Sequence, residues 1–258
     1  MEYQNHRTTA RILDILELVA AREGGLQFSE ISRALDLPKG SLHPLLQTLC
    51  GRRYLRFSQR DQRYCLGEMM FAVGSRYVEE GDILQQVKDE LYRLSQQTRE
   101  TSYFGILSGR EVLYLLKQNS PELLQMASRP GDRTMAYCSG IGKALLSGLD
   151  EKGLRALYPE GLRAVTPATV TDFGQLALQL EEVRRTGFSY EREEASPQAQ
   201  CIGTPVFLQG RLIAAISCAF PVFSTAEEKH AQIRACLTDA RQRVERLIAA
   251  KAEEWVYS

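Results

Sequence analysis

The chain carries no net charge, no long apolar run and no paired-cysteine motif. Its 258 residues hold 32 Lys and Arg against 32 Asp and Glu. The longest apolar stretches, such as Leu212 to Phe220, fall far short of the ~20 residues a membrane-spanning helix needs, so no membrane segment is expected. The opening MEYQNHRTTA lacks the basic-then-apolar pattern of an export signal, and a cytoplasmic location is expected. Cys50, Cys65, Cys138, Cys201, Cys218 and Cys236 stand singly, most of them inside apolar stretches, and read as buried thiols of a reducing compartment. Histidine is scarce, and His6, His43 and His230 are scattered. Neither residue type has the close spacing of a zinc site, so no metal and no other cofactor is expected. The charge excess and apolar deficit of a disordered chain are missing too. With 44% hydrophobic and 25% charged residues, the composition is that of a folded protein with one large domain or two smaller ones.

An evenly spread zero balance would speak against a nucleic-acid partner, but the charge is not evenly spread. Residues 1–66 carry a net +3 and residues 67–258 a net −3. Arg52, Arg53, Arg56, Arg60 and Arg63 cluster together with only Asp61 among them. Such a cluster is a solvated surface unless a DNA-binding pattern lies beside it.

That pattern is present. Ile12, Leu13, Ile15, Leu16 and Val19 recur at helical spacing, and Gly24-Gly25 ends the run. Ser29 is the expected N-cap of a short second helix bearing Ile31, Ala34 and Leu35. After the turn Asp36-Leu37-Pro38, Leu42, Leu45, Leu46 and Leu49 mark a third helix over Lys39 to Cys50. The strand-like pieces 54–57 and 63–66 flank a polar turn. Three helices followed by a hairpin is the winged helix-turn-helix order. Lys39, Ser41, His43, Gln47 and Thr48 are expected on the outer face of the third helix, where such side chains reach base edges and phosphates. Arg52, Arg53, Arg60 and Arg63 near the wing are expected to contact the DNA backbone, which gives affinity without sequence choice.

Beyond Gly67 a helix with Met69, Met70, Val73 and Tyr77 runs as far as Glu80, and Gly81-Asp82 breaks it. The stripe Ile83, Leu84, Val87, Leu91 and Leu94 forms a further helix ending near Thr98. Strands and helices then alternate. Strands are expected at 102–107, 112–117, 188–191, 201–207 and 212–220. Helices are expected from a Ser139 cap through Leu149, over 154–158, from a Thr171 cap to Gly187, and from Thr225 to Ala250 along Ile233, Leu237, Ala240, Val244 and Leu247.

Two segments resemble the IclR family of bacterial transcriptional regulators. One runs from Phe28 to Gly67 (FSEISRALDLPKGSLHPLLQTL, the basic hairpin and YCLG). The other is GFSYEREEASPQAQCIGTPVF, Gly187 to Phe207, where Gly187, Glu191, Glu194, Cys201, Ile202 and Gly203 fall at the family's positions. SGIGKALL, Ser139 to Leu146, is similar to a further family stretch. The resemblance implies an α+β protein. Residues 1–67 would form a winged helix-turn-helix DNA-binding domain, 68–80 a linker helix and 81–258 a GAF-like α/β domain for effector binding and oligomerisation. It implies a ligand-responsive regulator, expected to be a repressor of a catabolic operon, with double-stranded operator DNA and a carboxylate-bearing metabolite as partners. A homodimer or a dimer of dimers would match a DNA dyad. Gly140 and Ile141 would supply backbone donors to the effector, with Glu191, Cys201 and Ser217 as side-chain neighbours. Ala219 stands where some members carry a hydroxyl. Arg129 and Arg133 are further candidates to pair an acid, although a surface position suits each.

The chain departs from the family at Pro44, where an arginine is usual, with Gly40 one turn before it. A proline inside a helix removes one hydrogen bond and crowds the carbonyl four residues back. Either Gly40 relieves a kink or the helix starts late, with Pro44 in its first turn. No catalytic residue is expected, because Cys201 has no histidine near it in sequence and His230 sits among Glu227 and Glu228. Two alternatives stay open: a GAF-like protein with hydrolase-type activity, and a sensor whose winged helix makes only protein contacts.

Overall fold

A computed structural model describes residues 6–79, 82–122, 126–223 and 227–250, with the side chains of 76–79 and 82 left out of the description. Glu80, Gly81 and Thr225, which enter the expectations above, lie outside the described residues. The chain forms two compact units, Met1–Gly81 and Asp82–Ser258.

In the first unit α1 (Arg7–Ala20), β1 (Leu26–Gln27), α2 (Phe28–Ala34), α3 (Lys39–Gly51), β2 (Leu55–Ser58), β3 (Arg63–Leu66) and α4 (Glu68–Glu79) follow in order. The three strands form an antiparallel sheet, β1-β3-β2. The core includes Ile15, Val19, Ile31, Leu42, Leu46 and Leu49, about one residue per helical turn, with Leu55 of β2. Leu13, on the other side of α1, is exposed. The cap of α2 is Gln27 rather than Ser29, because the Glu30 carboxylate accepts from the Gln27 N–H at 2.7 Å and fixes the helix start two residues earlier. The turn into α3 is held by Ser32, whose hydroxyl donates to the Leu37 carbonyl at 2.6 Å while its own carbonyl accepts from the Leu37 N–H. A late start of α3 is excluded. The helix begins at Lys39, its first turn bonded back to the Pro38 carbonyl, and it continues through Pro44.

The second unit contains α5 (Asp82–Thr98), β4 (Thr101–Ser108), β5 (Glu111–Gln118), β6 (Arg133–Met135), a 3-10 turn (Ala136–Cys138), α6 (Gly140–Leu146), α7 (Glu151–Leu157), α8 (Phe173–Thr186), β7 (Ser189–Arg192), β8 (Ala199–Leu208), β9 (Arg211–Pro221) and α9 (Glu227–Ala250). All six strands pair antiparallel, in the order β6-β5-β4-β9-β8-β7. Asp172, not Thr171, caps α8, accepting from the Gln175 N–H at 2.8 Å. Gly187 ends that helix in the left-handed region at φ 82°, where a Cβ is unwelcome. The α6 helix stops at Leu146, short of Leu149, and in α9 Ile248 rather than Leu247 takes the last buried position.

Strand alternation separates two cores. Phe104 on β4 and Ile216, Cys218 and Phe220 on β9 point to one face, against Leu91 and Leu94 of α5 and Ile233, Leu237 and Val244 of α9. Tyr103 and Ala215 point to the opposite face, against Ile141, Leu145 and Leu146 of α6 and Leu176 and Leu180 of α8. Ser217 and Ala219 share the parity of Ala215, so β9 aims them at the α6 side.

Candidate DNA-facing helix and effector cavity

On α3 the side chains alternate as an amphipathic helix requires. Leu42, Leu46 and Leu49 are buried, while Lys39, Ser41, His43, Gln47 and Thr48 are exposed together with Gly40 and Pro44. Thr48 turns its hydroxyl back to the Pro44 carbonyl at 2.9 Å, and the His43 ring lies 6.4 Å from that of Phe28. The arginines divide into two kinds. Arg52, Arg56 and Arg60 are exposed. Arg53 is exposed but pairs with Glu68 at 3.3 Å. Arg63 turns inward: its guanidinium donates to the Gly25 carbonyl at 2.7 Å and reaches Glu30 at 3.4 Å. It ties β3 to the loop before β1 and to the cap of α2, with 35% of the side chain still exposed. Position in the sequence cannot separate Arg63 from Arg60, because the separation depends on which carbonyl lies across the sheet.

In the second unit the expected effector residues meet. Gly140, Ile141, Glu191, Cys201 and Ser217 all line one cavity of about 120 Å³, joined by Ala219, Tyr103, Tyr114, Ser139 and Gln200. Register brings them together. Glu191 on β7 pairs with Cys201 on β8, and Cys201 pairs with Ala219 on β9. In the next row Tyr103 on β4 pairs with Ser217, and Ser217 with Gly203. The α6 helix closes the cavity. Ser139 caps it, accepting from the Gly142 N–H at 3.1 Å. Gly140 lies so near β8 that an added Cβ would meet Cys201 Sγ at 2.7 Å. The tyrosines were not foreseen, although the inward parity of β4 and β5 residues was the available signal.

The chemistry of the lining is specific. Ser217 is 1% exposed, and its hydroxyl has no hydrogen-bond partner among the described residues. Glu191 is buried; its Oε1 accepts from the backbone N–H of Glu194 at 2.6 Å and of Ala195 at 3.2 Å. Burial nevertheless outweighs these bonds and pushes its carboxyl up to about 7. Burial, with the nearby Glu191 charge, holds the Cys201 thiol up to about 12, so it is a neutral wall rather than a nucleophile. No histidine lines the cavity, and among the described residues no His, Cys, Asp and Glu cluster fits a metal ion. Behind the cavity Lys143 is fully buried and paired with Glu194, whose other oxygen accepts from the Val170 N–H at 3.4 Å. Arg133 bonds Ser108 on the surface. Arg129 and Lys117 line an outer hollow that shares Met126 and Ala127 with the inner cavity. Among the described residues no helix is long and apolar enough to cross a membrane.

A helix-turn-helix unit with a polar outer helix, joined to a separate unit with a small cavity that mixes apolar walls and a few polar groups, defines a two-domain regulator. Residues 8–59 match the IclR helix-turn-helix domain, and residues 75–246 match the description "Bacterial transcriptional regulator IclR C-terminal". The chain is 33% identical over 227 residues to the HTH-type transcriptional regulator BhcR of Paracoccus denitrificans, covering 86% of this chain and 80% of that one. It is 32% identical over 213 residues to the HTH-type transcriptional regulator XynR of Escherichia coli, covering 82% and 84%. Among solved structures, an IclR transcriptional regulator from Alicyclobacillus acidocaldarius superposes with a TM-score of 0.86 at 24% identity, covering 95% of this chain and 99% of that one. An IclR homologue from Microbacterium hydrocarbonoxydans, solved with 4-hydroxybenzoate, gives 0.78 at 24%, covering 93% and 99%. The chain belongs to the IclR family of bacterial transcriptional regulators.

Proposed function

We propose that this chain is a cytoplasmic, effector-controlled repressor that binds operator DNA as a homodimer or dimer of dimers and senses a small organic acid in the cavity beneath α6. The observation that carries the reading is the convergence of Gly140, Ile141, Glu191, Cys201 and Ser217 on one cavity, in a unit separate from the helix-turn-helix. A buried hydroxyl without a partner is costly unless a ligand completes it, which supports Ser217 as a contact. On the DNA side, the outer face of α3 enters the major groove with Lys39, Ser41, His43, Gln47 and Thr48, and Arg52, Arg53 and Arg60 neutralise phosphates. The effector favours one arrangement of the sensing units, and the linker carries that preference to the spacing of the paired winged helices.

The test is equilibrium binding to the DNA flanking the chain's own coding sequence, titrated with salt. The double variant Arg52→Ala/Arg60→Ala is expected to weaken binding and lower the slope of log K against log salt by about 2, near 0.9 per lost phosphate contact. An unchanged slope would remove these arginines from the interface. No retention of any duplex at low salt would favour a winged helix that makes protein contacts only.

A further inference from the structure

The cavity described above combines features that seldom meet in an acid-binding site. Its lining among the described residues includes no lysine, arginine or histidine. It does include hydroxyl donors. Ser217 has no partner, and Ser139 uses a lone pair for the Gly142 N–H, which leaves its hydrogen for a ligand. It also includes the carboxyl of Glu191, whose Oε1 is occupied by two backbone N–H groups while no donor from the described residues reaches Oε2. Hydroxyls suit a carboxylate, but a second carboxylate a few ångström from an ionised Glu191 would be expelled, since two like charges cannot share a buried site.

We propose that the cavity takes up a small monocarboxylic acid together with one proton, which Glu191 and the ligand's carboxyl share in a hydrogen bond between the two groups. The proton comes from solvent whenever Glu191 is ionised beforehand, and no covalent bond changes. The proposal rests on the reading of this cavity as the effector site and specifies its chemistry. The groups facing Glu191 leave it as the one that titrates. Cys201 on β8 and Cys138 on the 3-10 turn are held by burial up to about 12 and about 11, and burial raises Tyr103 on β4 and Tyr114 on β5 further, so all four are neutral. Lys143 on α6 is paired with Glu194, three residues along the chain from Glu191. Burial pushes Glu191 itself up near neutrality. The volume favours a small ligand: a cavity of about 150 Å³ holds benzene, so about 120 Å³ suits an acid of roughly five non-hydrogen atoms.

The experiment uses the full chain and its Glu191→Gln variant, which keeps both backbone bonds and offers an amide donor in place of the carboxyl. Three sets of probes are screened by thermal shift at millimolar concentration: acetate, glycolate and lactate; ethylamine and ethanolamine; ethylene glycol and propane-1,2-diol. Bound probes are then titrated calorimetrically in two buffers of different ionisation heat. The expected result is that acids bind, with uptake approaching one proton above neutral pH. Their dissociation constant should rise about tenfold per pH unit there. In Glu191→Gln binding should persist while the proton uptake and the pH slope vanish. Acids that bind with no proton uptake, or uptake that survives in Glu191→Gln, would overturn the proposal and leave the effector site standing. Amines or diols that bind in place of acids would overturn it too, with Glu191 then acting as a counter-ion or acceptor. Failure of all three sets would remove the effector reading of the cavity, and the proposal with it.

Discussion

Replacing Lys143 by methionine should damage the sensing unit more than any surface change. Lys143 is fully buried on α6, with its ammonium on the Glu194 carboxylate and the Tyr190 carbonyl. Methionine fills nearly the same volume but leaves Glu194, itself 6% exposed, with only the long Val170 N–H bond to its carboxylate. Breaking a buried pair by removing one partner costs about 3–5 kcal/mol, because the remaining charge is uncompensated. In a domain of this size 1 kcal/mol moves the melting temperature by about 2–4 °C, so Lys143→Met is expected to lower it by roughly 6–20 °C in scanning calorimetry at neutral pH. The double variant Lys143→Met/Glu194→Leu should recover most of the loss, since an apolar pair of similar volume replaces an ion pair at little net cost. The Thr166 and Thr169 hydroxyls, which bond the Glu194 backbone carbonyl, remain in both variants. A single variant that melts within ~2 °C of the parent, or a double variant no better than the single, would refute the view that charge compensation rather than packing governs this site.

Three further outcomes are expected. Arg63→Ala should lower the urea stability of the first unit by about 1–3 kcal/mol, through loss of charge-assisted bonds to Gly25 and Glu30, and should leave the salt slope of DNA binding unchanged; a lower slope would put its guanidinium on phosphate instead. Pro44→Ala should stabilise α3 by restoring an N–H toward the Gly40 carbonyl, read as a higher urea midpoint, and a lower midpoint would mean that proline contributes more by stiffening the unfolded chain. Ser217→Ala should raise thermal stability by about 1 kcal/mol in the absence of effector, because an unpartnered buried hydroxyl is removed, and should weaken the effector response while DNA affinity holds. Equal loss of effector response and DNA affinity would make Ser217 a structural residue.

How far the site was legible depended on distance along the chain. The outward face of α3 followed from leucine spacing alone, since a helix brings residues three and four apart to one side. The capping residues misled by one or two positions: Glu30 settles the cap of α2 at Gln27, and Asp172 competes with Thr171 for that of α8. The two-residue β1 and three-residue β6 carry too little alternation to be read, and each exists only because a longer strand lies beside it. Lys143 reads as an ordinary solvated lysine until the loop bearing Glu194 is brought against it.

What the sequence by itself determined is what local spacing encodes. It set the helices and most strands, the face each presents, the division of charge between a basic first quarter and an acidic remainder, and the motifs that mark the family. Tertiary structure decided which of those faces meet. Only the antiparallel register places Glu191 beside Cys201 on the next strand and Ser217 beside Tyr103 on a strand far away in the chain. Only burial lifts the Glu191 carboxyl toward neutrality, and only the approach of the Gly25 carbonyl gives Arg63 a partner within the fold. The physical reason is that periodicity is a property of neighbours. The partner and the desolvation of a charged group are set by residues that the chain brings close only when it folds.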